Sequence, residues 1–175
     1  MDLRGDSSAP ITVIIADDEP LVRQGLRLVL ELDGDVAVMA EAEDGASALA
    51  LVREHRPDLA LLDIRMPRMD GLEVVRRVVS DPTLAGTRAL VLTTFADDDL
   101  LLAAVRAGAC GYLLKSMLPE GIRAAVRSAA LGETAVAPEL VDRLLQEHSA
   151  RHAPRSARLD RLTDRETEVL REIAG

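Results

Sequence analysis

The chain has 175 residues with 48% hydrophobic and 29% charged residues, which suits one folded domain plus an appendage, or two small domains, and excludes a disordered protein. A net charge of −9 gives no global basis for nucleic-acid binding, and the single cysteine, Cys110, excludes an internal disulfide framework and a cysteine-based zinc site. No apolar run reaches the ~18 residues of a membrane span, and the N-terminal MDLRGDSSAP is too polar for a signal peptide, so the expectation is a cytoplasmic protein with no membrane partner.

Residues 1–10 read as a disordered N-terminus. Ile11–Ala16 is a continuous apolar run, as expected of a strand buried on both faces. Asp17-Asp18-Glu19-Pro20 follows, and Pro20 suits the first turn of a helix over 20–32 whose apolar residues are Leu21, Val22, Leu26, Val29 and Leu30. Asp33-Gly34-Asp35 is a turn. Val36–Ala42 is a weaker strand, and Asp44-Gly45 opens a helix to His55. Arg56-Pro57-Asp58 breaks the chain before a third strand, Leu59–Asp63. The loop RMPRMDG leads to a helix over Leu72–Ser80, ended by Asp81-Pro82. Ala89–Thr93 is a fourth strand, Asp97–Ala107 a helix, Gly111–Leu114 a short fifth strand and Leu118–Leu131 a fifth helix. Five strands alternating with five helices predict an α/β fold with one doubly wound parallel sheet, covered by helices on both faces. After Gly132 the alternation stops. Residues 132–158 read as a linker with one amphipathic helix near 138–147, carrying Leu140, Val141, Leu144 and Leu145. A further helix starts at Thr163, where Thr163 and Glu166 form a capping box.

The polar residues at the strand ends carry the chemistry. Right-handed crossovers bring the C-terminal ends of parallel strands to one edge of the sheet. That edge would collect Asp17 and Asp18 from the first strand, Asp63 from the third, Thr93 and Thr94 from the fourth and Lys115 from the fifth. Neighbouring carboxylates repel one another unless a positive charge sits among them. A hard divalent cation with oxygen ligands is the natural partner, and Lys115 can neutralise a carboxylate or a phosphoryl oxygen. The set suits metal-assisted transfer of a phosphoryl group onto a carboxylate. Any one of these residues alone reads more plainly as a turn, a cap or a solvated charge. Their coincidence at four strand ends is what points to chemistry. Lys115 is also the single lysine among 21 basic residues, the other twenty being arginine.

Residues 11–131 resemble the receiver domain of a two-component response regulator. The motifs are Asp17-Asp18-Glu19-Pro20, Leu62-Asp63-Ile64-Arg65-Met66-Pro67 with Asp70-Gly71, Leu92-Thr93-Thr94, and Gly111-Tyr112-Leu113-Leu114-Lys115. Their wording resembles the NarL/FixJ branch. The resemblance implies a flavodoxin-like (βα)5 fold with five strands in the order 2-1-3-4-5. It implies that Asp63 accepts a phosphoryl group from a histidine kinase. It implies that Asp17, Asp18, Asp63 and the backbone carbonyl of Arg65 hold Mg²⁺, with Mn²⁺ as a substitute. It further implies that Thr93 and Lys115 contact the phosphoryl oxygens and that Tyr112 is a switch residue swinging inward with Thr93. Arg65, Thr94 and Phe95 then occupy positions that tune phosphoryl lifetime.

Leu159–Gly175 resembles the start of a LuxR-type helix-turn-helix domain, through Leu162-Thr163-Asp164-Arg165-Glu166-Thr167-Glu168-Val169-Leu170. Such domains read bases with their second helix, so promoter DNA is expected as a partner only of a full-length protein. The expected function is a phosphorylation switch rather than an enzyme, with at most self-phosphorylation and self-dephosphorylation. A homodimer through the first and fifth helices is expected on phosphorylation. The rival reading is a Mg²⁺-dependent phosphatase with an aspartyl-phosphate intermediate. Such enzymes carry a second acid two residues after the nucleophile, where this chain has Arg65. A receiver that works without phosphate is the third reading.

Overall fold

The computed structural model describes residues 9–94 and 97–136. The expected N-terminal tail, linker helix 138–147, helix-turn-helix start 159–175 and Phe95 lie outside the described residues, apart from the first tail and linker positions. The elements run β1 (Ile11–Ala16), α1 (Pro20–Glu31), β2 (Val36–Ala42), α2 (Gly45–His55), β3 (Leu59–Asp63), α3 (Gly71–Ser80), a single 3-10 turn at Pro82–Leu84, β4 (Arg88–Thr93), α4 (Asp98–Ala107), β5 (Gly111–Leu114), α5 (Pro119–Ala130) and β6 (Ala135–Val136). All strand pairs are parallel and the order is β2-β1-β3-β4-β5-β6. The expected order is present, with a sixth strand added at the edge. The two-residue β6 pairs with Gly111 and Tyr112 of β5. A strand so short carries no periodicity, so residues 135–136 read as linker in the sequence.

Side-chain alternation along the strands divides the interior into two cores. Val13 and Ile15 of β1, Leu59 and Leu61 of β3, Leu90 and Leu92 of β4 and Leu113 of β5 pack under Leu26 and Leu30 of α1 and Ile122 and Val126 of α5. Ile14, Ala60, Leu62, Val91 and Tyr112 face the other way, under α2, α3 and α4. Both cores are aliphatic apart from Tyr112. The continuous apolar runs of β1 and β3 are therefore explained: each strand is covered on both faces.

Local chemistry sets the helix starts. Asp44 caps α2 by accepting from Ser47 N at 2.9 Å. Asp70 caps α3 through Glu73 N at 2.8 Å, and Asp97 caps α4 through Asp99 N at 2.9 Å and Leu100 N at 3.2 Å. Pro20 and Pro119 open α1 and α5, where no side chain caps the helix.

Candidate functional site

The strand register levels the expected residues. Ala16 pairs with Leu62, so Asp17 and Asp63 are each the next residue at the C-terminal edge of adjacent strands. Thr93 pairs with Leu114, so Lys115 follows one step beyond it. Lys115 N also donates to the Thr93 carbonyl at 2.7 Å, which ties the start of the β5–α5 loop to the end of β4.

Lys115 sits between two carboxylates. Its Nζ lies 2.6 Å from Asp17 Oδ2 and 3.2 Å from Asp63 Oδ2, with Glu19 Oε1 at 3.8 Å. Asp17 and Asp63 are buried and Asp18 is exposed. Asp17 Oδ1 accepts from Glu19 N at 2.9 Å, and Asp63 Oδ1 accepts from Ile64 N at 2.8 Å. Burial pushes the Asp63 carboxyl above its ordinary value; Lys115 opposes that shift and Asp17 adds to it. Burial disfavours the Lys115 ammonium, but the Asp17 and Asp63 carboxylates outweigh it and raise Lys115 overall.

Asp17, Asp18 and Asp63 each offer one carboxylate oxygen, and these oxygens lie within 4.8 Å of one another. Three carboxylates against the one ammonium among them leave two negative charges uncompensated within the cluster. An all-oxygen donor set with that charge fits a hard divalent cation. Among the described residues no other group of three such side chains was found.

Thr93 and Tyr112 form the other half of the site. By strand alternation both face the α2–α4 side, whereas Asp63 and Lys115 follow the α1/α5 parity. Tyr112 is 1% exposed, and burial pushes its phenol up to about 12. Its hydroxyl hydrogen-bonds with the Thr93 side chain and the backbone of Asp97. Tyr112 is thus inward in this structure. It links the end of β4 to the residue that caps α4. Arg65 and Thr94 are exposed at the ends of β3 and β4.

The loop after Asp63 is pinned at several points. Gly71 N donates to the Ile64 carbonyl at 2.9 Å, and a Cβ on Gly71 would stand 2.0 Å from the Asp63 carbonyl oxygen. Only glycine allows α3 to start this close to the end of β3. Arg68, a non-glycine residue at φ 65, reaches the fully buried Asp44 carboxylate.

The residues brought together are Asp17, Asp18, Asp63 and Lys115, with Thr93 and Tyr112 adjoining. Glu19 and Arg23 also touch this edge and were absent from the expected set. Arg23 Nη1 donates to the Asp17 carbonyl at 2.6 Å. Glu19 stands inside the acidic run and so was visible in principle. Arg23 carries no motif signal beyond its place one turn into α1.

Comparison with known proteins agrees with this geometry. Residues 13–127 match the response regulator receiver domain family. The chain is 42% identical over 164 residues to a probable transcriptional regulatory protein, NarL, of Mycobacterium tuberculosis, covering 94% of this chain and 74% of that one. It is 39% identical over 168 residues to the transcriptional regulatory protein YxjL of Bacillus subtilis, covering 94% and 75%. The solved signal receiver domain of the putative response regulator NarL from Mycobacterium tuberculosis superposes with a TM-score of 0.69 at 40% identity, over 72% of this chain and all (100%) of that one. A LuxR-family two-component response regulator from Aurantimonas sp. gives 0.75 at 30% identity, over 81% and 99%. Among the described residues no helix is long and apolar enough to cross a membrane.

Proposed function

The chain belongs to the response regulator receiver family, and on that premise we propose that Asp63 accepts a phosphoryl group from a sensor histidine kinase while Asp17, Asp18, Asp63 and the backbone carbonyl of Arg65 hold Mg²⁺. The observation that carries this reading is the Lys115 ammonium set between Asp17 and Asp63 at 2.6 Å and 3.2 Å. A carboxylate oxygen of Asp63 attacks phosphorus. The P–N bond to the donor imidazole breaks, and its electron pair stays on that nitrogen. Mg²⁺ held by Asp17, Asp18 and Asp63 would supply positive charge against the phosphoryl oxygens.

The chain's own residues do the rest. Lys115 holds Asp63 in place and then offers its charge to a phosphoryl oxygen. Thr93 turns its hydroxyl toward the same group, which changes its bond to Tyr112. Tyr112 in turn bears on Asp97 and the start of α4. Arg65 and Thr94, exposed at the ends of β3 and β4, tune how long the phosphoryl group lasts, a role the sequence also gives to Phe95, which lies outside the described residues. No turnover is expected beyond taking up and hydrolysing that one group.

In this reading the phosphoacceptor domain runs from 11 through β6 at 135–136, later than the 131 expected from sequence, with a linker following to 158 and 159–175 as the start of a DNA-binding domain. Phosphorylation drives a homodimer through α1 and α5 in a cytoplasmic regulator, and promoter DNA is a partner only where a complete helix-turn-helix domain is present.

Acetyl phosphate with Mg²⁺ tests this directly. Intact-mass measurement is expected to show one added phosphoryl group on the wild type, lost in Asp63→Asn and in EDTA. Failure of the wild type to label with Mg²⁺ present overturns the reading. Multiple turnover of p-nitrophenyl phosphate would instead favour the phosphatase.

A further inference from the structure

We infer that Arg23, braced by Glu41, is a positioning residue for the metal-binding turn at Asp17-Asp18. The inference rests on the reading that this edge binds a divalent cation, and it adds two residues outside the motifs described above.

Arg23 lies in the first turns of α1, and its side chain is only 14% exposed. Its Nη1 donates to the Asp17 carbonyl at 2.6 Å. Its Nε faces Glu41 Oε2 of β2 at 3.5 Å. A guanidinium is a rigid fork, so holding one arm on Glu41 fixes where the other arm points. The carbonyl it holds belongs to the peptide joining Asp17 to Asp18. That peptide decides how one carboxylate turns in toward Lys115 while the next remains exposed. The same turn carries a second bond, from Glu19 N to Asp17 Oδ1 at 2.9 Å. The turn is therefore held by two bonds, one local and one supplied by α1 with β2 behind it.

The α1–β2 contact does not depend on Arg23. Arg27 Nε holds Glu41 Oε1 at 2.6 Å, Arg27 Nη1 donates to the Val38 carbonyl at 3.1 Å, and Val38 N donates to Glu31 Oε1 at 3.0 Å. Loss of Arg23 leaves these bonds in place, so its variants are expected to fold. The charge of Arg23 provides a sign test. If Arg23 acted only as a nearby cation, its removal would tighten binding of another cation. If it positions the turn, its removal weakens binding.

The experiment is calorimetric titration of MgCl2 alone into the 175-residue chain. Arg23→Gln is expected to weaken Mg²⁺ binding about tenfold, the scale of losing a group that orients a ligand. Glu41→Gln is expected to weaken it by a smaller factor, and Arg23→Lys to recover part of the loss. Mg²⁺ affinity that is unchanged or tighter in Arg23→Gln overturns the inference. Should Arg23→Gln not fold, an unchanged affinity in both Arg23→Lys and Glu41→Gln overturns it equally. A wild type that gives no Mg²⁺ binding overturns the metal reading itself, a result distinct from a normal wild type with an indifferent Arg23 variant.

Discussion

Lys115 touches both Asp17 and Asp63, and no arginine takes this place although the chain has twenty. An ammonium is a compact point charge that can follow a carboxylate and then a phosphoryl oxygen, whereas a guanidinium is broader and prefers forked contacts. Lys115→Arg is expected to take up phosphate on Asp63 yet to switch poorly, with less than about half the wild-type dimer by light scattering, since a forked cation pairs a carboxylate differently. Wild-type dimerisation of that variant would show the lysine to be interchangeable. Tyr112 offers a second test, because it is the single tyrosine in the chain. Its phenol titrates at about 12 in the fold against 10.0 when free. The folded state therefore holds the proton more tightly than the unfolded state. The stability from this group is complete below pH 10.0 and is lost as pH rises toward about 12. Lys115 is raised as well and adds its own alkaline loss. The difference between wild type and Tyr112→Phe isolates the phenol: the gap in unfolding free energy is expected to narrow between pH 10.0 and about 12. A gap independent of pH across that window would contradict it.

The elements that meet at the site are held by contacts far apart in the sequence. Asp44 ends the β2 side, caps α2 through Ser47 and pairs with Arg68 of the β3–α3 loop. The Ser47 backbone N–H, then the Ser47 hydroxyl and Arg68, hold its carboxyl below the ordinary 3.8. Its stabilising effect is thus present above pH 3.8 and lost as pH falls through the lower folded value. Asp44→Asn is expected to lower the unfolding midpoint at neutral pH, with the gap to wild type closing in acid below pH 3.8. Gly71→Ala would force a Cβ to 2.0 Å from the Asp63 carbonyl oxygen. A displaced α3 start is expected to cost about 1–3 kcal/mol, measured by urea unfolding, because the obstacle is backbone and cannot rotate away. These contacts also mark what the sequence makes legible. Asp63, Thr93 and Lys115 stand at the ends of apolar runs, so a parallel sheet gathers them without further knowledge of the fold. Arg23 with Glu41, and Arg68 with Asp44, are pairings between elements, and no periodicity reports them. The same holds for β6, whose two residues pair with β5 only because the chain after α5 turns back along the sheet edge.

At the scale of the whole molecule, α1 and α5 present one surface. Arg127 of α5 donates to Asp35 Oδ2 and Asp33 Oδ2, each at 2.6 Å, and Arg123 lies 3.2 Å from Asp33. These bonds fasten α5 to the turn after α1. Leu21, Leu28 and Leu32 follow the spacing of one helical face and are 82%, 74% and 69% exposed, with Leu131 beyond the end of α5 at 80%. The sheet does not need these leucines, since Leu26 and Leu30 fill the core beneath α1. Lys115 connects this face to Asp63, because it lies on the loop that leads into α5 and carries the parity of the α1/α5 side. In a two-fold dimer each leucine is buried twice, and each burial is worth about 1.5–3 kcal/mol. Leu28→Glu is therefore expected to weaken the phosphorylated dimer by about two orders of magnitude or more while leaving Asp63 labelling intact. Light scattering with and without beryllofluoride reads the dimer, and intact mass after acetyl phosphate reads the labelling. A phosphorylated Leu28→Glu that dimerises as well as wild type would move the interface off α1. A wild type whose oligomeric state ignores beryllofluoride would favour a receiver that works without phosphate.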